Sequence, residues 1–373
     1  MMKITVITVC YNSAQTIENA IRSVIFQDYG DLEYIIIDGG STDGTLEIVD
    51  KYRDRIALCV SEPDFGIYDA MNKGLRKASG DVVAFLNSDD WYITDINVLK
   101  KVEKYFQESK ADIVSGNIYI WKNGARSKVF RKDLTDETIF FEVPCPHPAL
   151  FVKRELYLKF GGFDTSYKIA ADTKWIIHAY INGADVLCVE DYFACFRDGG
   201  ISTTNQYEAL KEQYEIVLGY LREKQLTKLE KKANSYYTRA LKGLETEKYV
   251  EIALKENNAK VQNLFDYDKK YYIWGAGIRG RRCLQIFEKL RLPVIGFIDS
   301  NKKQESEEGY PIIRPENIDT ESYLCITPRD YEDQIKAELK QSGVEMERVI
   351  TYSSLVEKIR QIGISSHILT EES

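Results

Sequence analysis

The sequence predicts an α/β protein built on a doubly wound, mostly parallel sheet, with a smaller second α/β unit after it. Three observations predict this. Short β-branched runs alternate with amphipathic stretches through the first hundred residues. The polar clusters fall where those runs end, the place where such sheets bind ligands. A second strand, glycine loop and helix begin near residue 270. In order, residues 3–10 read as a buried parallel strand. Asn12 and Ser13 then stand ready to cap a helix whose apolar positions Ile17, Ala20, Ile21, Val24 and Ile25 repeat at helical spacing. Residues 34–38 form the second strand, residues 45–52 a helix, and residues 56–60 and 82–86 two further strands.

Length and composition bound the rest. At roughly 150 residues per domain, 373 residues predict two domains with a connector, placed here at 1–205, 206–267 and 268–373. The connector is nearly free of glycine and lacks proline, and it reads as two or three helices. Lysines 228, 231, 232, 242 and 248 within it could face anionic lipid, but interleaved glutamates favour a solvated face. Lys+Arg of 50 against Asp+Glu of 58 leaves −8, which argues against nucleic acid as the main partner. No run approaches the roughly 18 apolar residues of a membrane span, and the opening segment reads as a strand, not a signal peptide. A cytoplasmic location follows as the expectation. Seven scattered cysteines without a C-x-x-C pair suit a reducing compartment, and three histidines cannot build a multi-histidine metal centre. Any metal must therefore be held by carboxylates, as Mg²⁺ and Mn²⁺ are.

The carboxylates are clustered. Asp38 opens the loop Asp38-Gly39-Gly40-Ser41-Thr42-Asp43-Gly44, residues 62–64 are Glu62-Pro63-Asp64, and residues 87–90 are Asn87-Ser88-Asp89-Asp90. Each group closes a predicted strand, so several carboxylates converge on one sheet edge, where a metal, a hydroxyl-rich ligand or solvent must satisfy them. For Asp43 alone, helix capping accounts for the residue as well as function does.

With these motifs in place, residues 3–205 resemble a family-2 glycosyltransferase of the GT-A fold, as found in bacterial capsule, exopolysaccharide and cell-wall assembly. The matching segments are residues 6–12, the Asp38 loop, residues 61–74, residues 87–90 and the block at Ala171-Asp172. The resemblance implies a nucleotide-sugar donor, most often a UDP-sugar, with Thr8 and Asn12 under the nucleotide and Asp38 bonded to base or ribose. Glu62, Asp64, Asn72 and Asn87 belong to the same donor-binding set. Asp89 would be the metal ligand for Mn²⁺ or Mg²⁺, with Asp90 supporting it or touching the sugar. Met71 stands where many relatives carry Arg, and Lys73 is not assumed to replace it.

On the acceptor side, the resemblance makes Asp172 the general base for a hydroxyl of a glycan or lipid-linked glycan, in an inverting displacement. A helix-opening acid at the macrodipole is the competing account for Asp172, and Asp164 and Glu142 are the next candidates. His147 could reach the donor phosphates or the acceptor, or be structural. Residues 196–202, with paired glycines, resemble a segment that closes over the site. Residues 275–280 (Gly275-x-Gly277-x-x-Gly280), with Asp299 after the next strand, resemble an appended Rossmann-like domain. It reads as a structural or oligomerisation module sooner than as a nucleotide site. Two rival functions remain: a nucleotide-sugar oxidoreductase using that C-terminal fingerprint, and a non-catalytic sugar-nucleotide-binding module. Peripheral association with the inner membrane face is compatible with a lipid-linked acceptor.

Overall fold

The computed structural model describes residues 1–94, 97–129, 133–141, 145–300 and 306–371. The chain forms two compact units, Met1–Leu241 and Lys242–Ser373, so their boundary falls inside the stretch read as a connector. No helix among the described residues is long and apolar enough to cross a membrane.

The first unit is the mixed α/β fold expected of the GT-A class. Strand β1 (Ile4–Cys10) is buried along its whole length, and α1 (Ile17–Ile25) covers one face. Then come β2 (Leu32–Asp38), α2 (Thr45–Asp50), β3 (Leu58–Ser61), α3 (Ile67–Lys77) and β4 (Val82–Phe85). These four strands run parallel in the order β3-β2-β1-β4. Side chains alternate across the pleat. Ile4 and Val6 enter the core on the α1 side, while Ile7 and Val9 enter the one with Tyr68, Ala70 and Met71 of α3.

Beyond β4 the sheet becomes mixed. The elements are β5 (Trp91–Tyr92), α4 (Val98–Glu108), β6 (Ile113–Lys122), β7 (Ala125–Lys128), β8 (Leu150–Lys153), α5 (Arg154–Phe160), α6 (Ala171–Ile181) and β9 (Val186–Arg197). Strand β8 pairs antiparallel with both β4 and β6; β9 runs parallel to β6, and β5 closes the edge. Strands β6 and β7 form a hairpin turning at Asn123 (φ 51°) and Gly124 (φ 78°), the left-handed pair such a turn requires. Two helices follow, α7 (Ile201–Thr204) and α8 (Gln206–Glu223). Helix α8 is bound to this unit, because Ile216, Val217, Tyr220 and Leu221 share a core with Ile177 of α6 and Phe140. Helix α9 (Thr227–Glu256) spans the boundary.

The second unit contains α10 (Asn258–Gln262), β10 (Tyr271–Trp274), α11 (Ile278–Lys289), β11 (Val294–Ile298), β12 (Ser306–Glu307), β13 (Tyr310–Ile313), β14 (Tyr323–Ile326), α12 (Glu332–Gln341), β15 (Val349–Thr351) and α13 (Tyr352–Glu371). Its strand order is β12-β13-β11-β10-β14-β15, parallel except for β12 on β13. The order reverses beside β10, as in doubly wound sheets.

Candidate active site

The carboxyl ends of β1, β3 and β4 open on a cavity of about 720 Å³. Tyr11, Asn12 and Ser13 line it from the β1 side, Asp64 and Phe65 from the β3 side, and Tyr68 from α3. Asn87, Ser88 and Asp89 follow β4, Tyr167 and Lys168 precede α6, and Phe196, Gly200, Ile201 and Ser202 follow or end β9. Phe65 is almost wholly exposed and Tyr11 mostly so, leaving two aromatic faces at the cavity wall.

The loops at this edge of the sheet are tied to one another. Asn12, in the left-handed region (φ 48°), donates its N–H to Ser41 Oγ (2.8 Å) and accepts from Thr42 N–H on its side-chain oxygen (3.0 Å). It therefore braces the Asp38 loop and does not cap α1, which starts at Ile17. Ser13 contacts Ser88 Oγ (2.9 Å), joining the β1 and β4 loops. Asp43 accepts from Thr45 N–H and Oγ1 and from Ala14 N–H, so it ties the loops together and also lines the cavity, while Gly44 holds the N-cap position of α2.

Asp38 is placed differently from its expected contact with base or ribose. It is fully buried and accepts from Gly40 and Ser41 N–H and from Ser41, Ser61 and Cys10 side chains. Burial alone would raise its carboxyl; these donors hold it below its ordinary value. Two oxygens offer about four lone-pair sites, so five donors leave it no room for a nucleotide. Thr8 is also buried, its Oγ1 accepting from Tyr34 OH at 3.0 Å. Both residues organise the floor beneath the loops.

Asp64 occupies the space above Gly39. A Cβ added at Gly39 would stand 2.5 Å from Asp64 Oδ2 and 3.4 Å from the Tyr11 ring. Asp64 Oδ1 accepts from Gly66 N–H at 2.8 Å. Glu62 is turned away to Lys73 (3.0 Å), and Lys73 is further held by Asp69 (3.4 Å) and Pro63 O (2.8 Å). Lys73 is thus fully engaged, and Met71 is buried in the core. Asn72 clamps the backbone of Phe163, donating to its carbonyl and accepting from its N–H at 2.8 Å each. Neither Glu62 nor Asn72 is among the cavity-lining residues.

In the turn after β4, Asn87 Oδ1 is buried without a hydrogen-bond partner and Asn87 lines the cavity. Asp89 lines it too, and burial raises its carboxyl although Arg197 pulls the other way. A half-buried carboxylate that faces a cavity and has no ion pair among the described residues fits a divalent cation, whose charge would reverse that rise. Among the described residues no group of three His, Cys, Asp or Glu could hold a metal alone. Any ion here would depend on Asp89 plus phosphate oxygens and water. Asp90 stands behind this turn, fully buried. Its Oδ1 accepts from Arg197 N–H at 3.0 Å while Oδ2 has no partner, and burial together with Asp89's charge pushes its carboxyl well up. Arg197 donates to the Asp89 carbonyl (3.3 Å) and lies over the Trp91 ring. Gly200 approaches closely: a Cβ there would be 3.0 Å from Asp89 Oδ2.

Asp172 opens α6 as expected. Its Oδ1 accepts from Thr173 N–H (2.8 Å) and Tyr68 OH (3.0 Å), and Tyr68 is the residue that lines the cavity. Asp172 therefore sits one side chain behind the wall. His147 stacks on Phe85, with ring centroids 5.6 Å apart, and meets the Phe163 edge; its Nε2 is sealed without a partner. Burial lowers its basicity and the Asp172 charge partly restores it. Asp164 is engaged by Lys174 and Ser166, which hold its carboxyl down to about 2. Glu142 lies outside the described residues. Sequence reasoning missed Tyr68 and Tyr11 as wall residues, although both lie inside motifs that it quoted.

The glycine loop of the second unit is braced by Asp299 and packed tightly on itself. Ala276 N–H donates to Asp299 Oδ2 (3.0 Å), and a Cβ at Gly280 would be 1.9 Å from the Gly275 carbonyl. Arg279 donates to Thr327 O and covers the Tyr352 ring.

The family description "Glycosyl transferase family 2" matches residues 5–163, and "C2185-like, N-terminal" matches residues 267–350. An uncharacterized glycosyltransferase of Mycobacterium tuberculosis is 33% identical over 183 residues, 47% of this chain and 68% of that protein. The poly(ribitol-phosphate) β-N-acetylglucosaminyltransferase TarS of Staphylococcus aureus is 27% identical over 234 residues, 58% of this chain and 39% of that one. The crystal structure of TarS 1–349 in complex with UDP-GlcNAc is similar with a TM-score of 0.49 and 23% identity, over 58% of this chain and 67% of that one. With its motifs in family order and more than two thirds of the mycobacterial protein covered, the chain belongs to glycosyl transferase family 2.

Proposed function

We propose that this glycosyltransferase moves a sugar from a UDP-sugar to a hydroxyl of a glycan or lipid-linked glycan, inverting the anomeric centre with the help of a divalent cation. The observation that carries the reading is Asp89, a half-buried carboxylate on the cavity wall without an ion pair. Asp89 would hold Mn²⁺ or Mg²⁺, which as a Lewis acid neutralises the charge on the departing diphosphate. Asp64 and Tyr11, flanking Gly39, offer a hydrogen-bond acceptor and an aromatic face to the nucleoside. Asp172 takes the proton of the acceptor hydroxyl by way of the Tyr68 OH, which lines the cavity and donates to Asp172 Oδ1, as the hydroxyl oxygen bonds to the anomeric carbon. The bond from that carbon to the diphosphate oxygen breaks on the opposite face. Phe196 and residues 200–202 line the side of the cavity next to Asp89, where a closing segment would exclude water. The bond from Ala276 N–H to Asp299 Oδ2, which occupies the acid a ribose would need, supports a structural or oligomerisation role for that unit.

The S. aureus relative is named for N-acetylglucosaminyl transfer, so UDP-N-acetylglucosamine is the first donor to test. Hydrolysis of UDP-, GDP- and dTDP-sugars would be followed with and without Mn²⁺, and the anomeric form of the released sugar read by NMR. The expected result is Mn²⁺-stimulated hydrolysis of a UDP-sugar with inversion. Release with retention, or no hydrolysis of any sugar nucleotide, would overturn the proposal.

A further inference from the structure

Helix α8 lies beyond the residues that match the family description, yet it holds one wall of the site. Both carboxylate oxygens of Glu212 accept from the backbone just before α6. Oε1 takes the Lys168 N–H, and Oε2 takes the Ile169 and Ala170 N–H groups, each at 2.9 Å. Lys168 lines the cavity, the Ile169 carbonyl accepts from Tyr68 OH at 2.6 Å, and Ala170 precedes the helix on which Asp172 is the second residue. The N–H groups at this end have no partner within α6, and an anion there is favoured by the helix dipole. Glu212 also stands one turn before Ile216, which packs in the core shared with α6. Helix α7, just ahead of α8, contributes Ile201 and Ser202 to the same cavity.

We propose that Glu212 is a positioning residue for sugar transfer, fixing residues 168–172 so that Asp172 and the Tyr68 OH bonded to it are held in line with the acceptor hydroxyl. The proposal rests on Asp172 being the base. Helix α8 thereby joins the acceptor wall, held through Glu212, to the segment beside Asp89, reached through α7 and Gly200. Removing the carboxylate leaves three N–H groups to find water, and the 168–172 backbone loosens. Misplacing a catalytic group by about 1 Å lowers a rate by roughly 10²-fold.

The test is a double-mutant cycle in the full chain, using Glu212→Ala, Asp172→Asn and both together, with Glu212→Gln as the conservative variant. Glu212→Ala is expected to lower transfer by roughly 10²-fold with UDP affinity within twofold of wild type. Glu212→Gln keeps one acceptor oxygen and should fall between. In the Asp172→Asn background, Glu212→Ala should add little, because residues that act as a unit are not additive. Hydrogen exchange should show the 168–170 amides protected in the wild type and released in Glu212→Ala. Unchanged transfer, additive losses, or UDP affinity falling in step with transfer would overturn the proposal. Near-normal transfer by Asp172→Asn would instead overturn the base assignment, so the two failures are read from different variants.

Discussion

Two strand-end loops in this chain look alike in sequence and differ in what they leave unfinished. Each glycine loop follows a parallel strand and has an acid at a strand end beside it: Asp38 opens the loop of the first unit, and Asp299, after β11, stands against the loop that follows β10 in the second. In the second unit the local groups close on each other, Asp299 on Ala276, Gly280 on Gly275 and Arg279 on Thr327. In the first unit one carboxylate, Asp38, is consumed in holding the loops, and others are left facing a cavity. A glycine loop marks where a ligand can approach. Unsatisfied polar groups beside it mark where one is needed.

The sharpest way to break that comparison is to remove an unsatisfied group. Asp89→Ala should abolish metal-dependent UDP binding, since no histidine is among the cavity-lining residues to take over coordination; calorimetry with and without Mn²⁺ measures it. Retained Mn²⁺ dependence would mean that the unpaired carboxylate is not the metal site. Next in size is Asp172→Asn, which keeps shape but cannot accept a proton at neutral pH. Transfer should drop by roughly 10²–10⁴-fold while UDP affinity stays near wild type. If Asp172 only steadies the α6 dipole, the cost is at most about 1 kcal/mol of stability and turnover survives.

The parallel sheet, the strand-end motifs and the second α/β unit were legible because each is carried by local pattern. What was not legible is which polar group satisfies which. No spacing reveals that Ser41 and Ser61 saturate Asp38, that Asn72 clamps Phe163, or that Glu212 reaches residues 168–170 more than 40 positions away. The connector was legible as helical, but not the α6 surface that Ile216, Val217, Tyr220 and Leu221 meet. The β6–β7 hairpin did have a local signal, Asn123-Gly124 between alternating residues, and it went unread.

Two glycine substitutions sharpen the comparison directly. Gly39→Ala pushes a methyl into Asp64 Oδ2, a side-chain end that can move, so the fold should stand while UDP binding weakens by roughly tenfold or more. Gly280→Ala meets the Gly275 carbonyl, which cannot move without the loop. It should destabilise the second unit by about 1–3 kcal/mol in a thermal melt and leave donor hydrolysis intact. Reversed outcomes would show that the second loop, not the first, serves the donor.

The smallest expected effect comes from the opposite end of the first sheet, where a carboxylate is fully partnered. Glu33 accepts from Thr5 Oγ1 (2.6 Å), from Ser79 N–H (2.7 Å) and Oγ (2.5 Å), and from Lys3 Nζ (3.0 Å). Burial alone would raise its carboxyl, but these donors bring it from 4.5 to about 2. The folded value lies below the unfolded one, so the stabilisation is fully present above about pH 4.5 and fades as pH falls towards 2. Glu33→Gln should therefore cost on the order of 1–2 kcal/mol at neutral pH. The gap between variant and wild type should close as denaturation is repeated from pH 5 down to pH 2. Transfer at pH 7 should not change, because a carboxylate whose lone pairs are all taken by its own fold has nothing left to offer a ligand. A fall in transfer without a fall in stability would break the rule that separates Glu33 from Asp89.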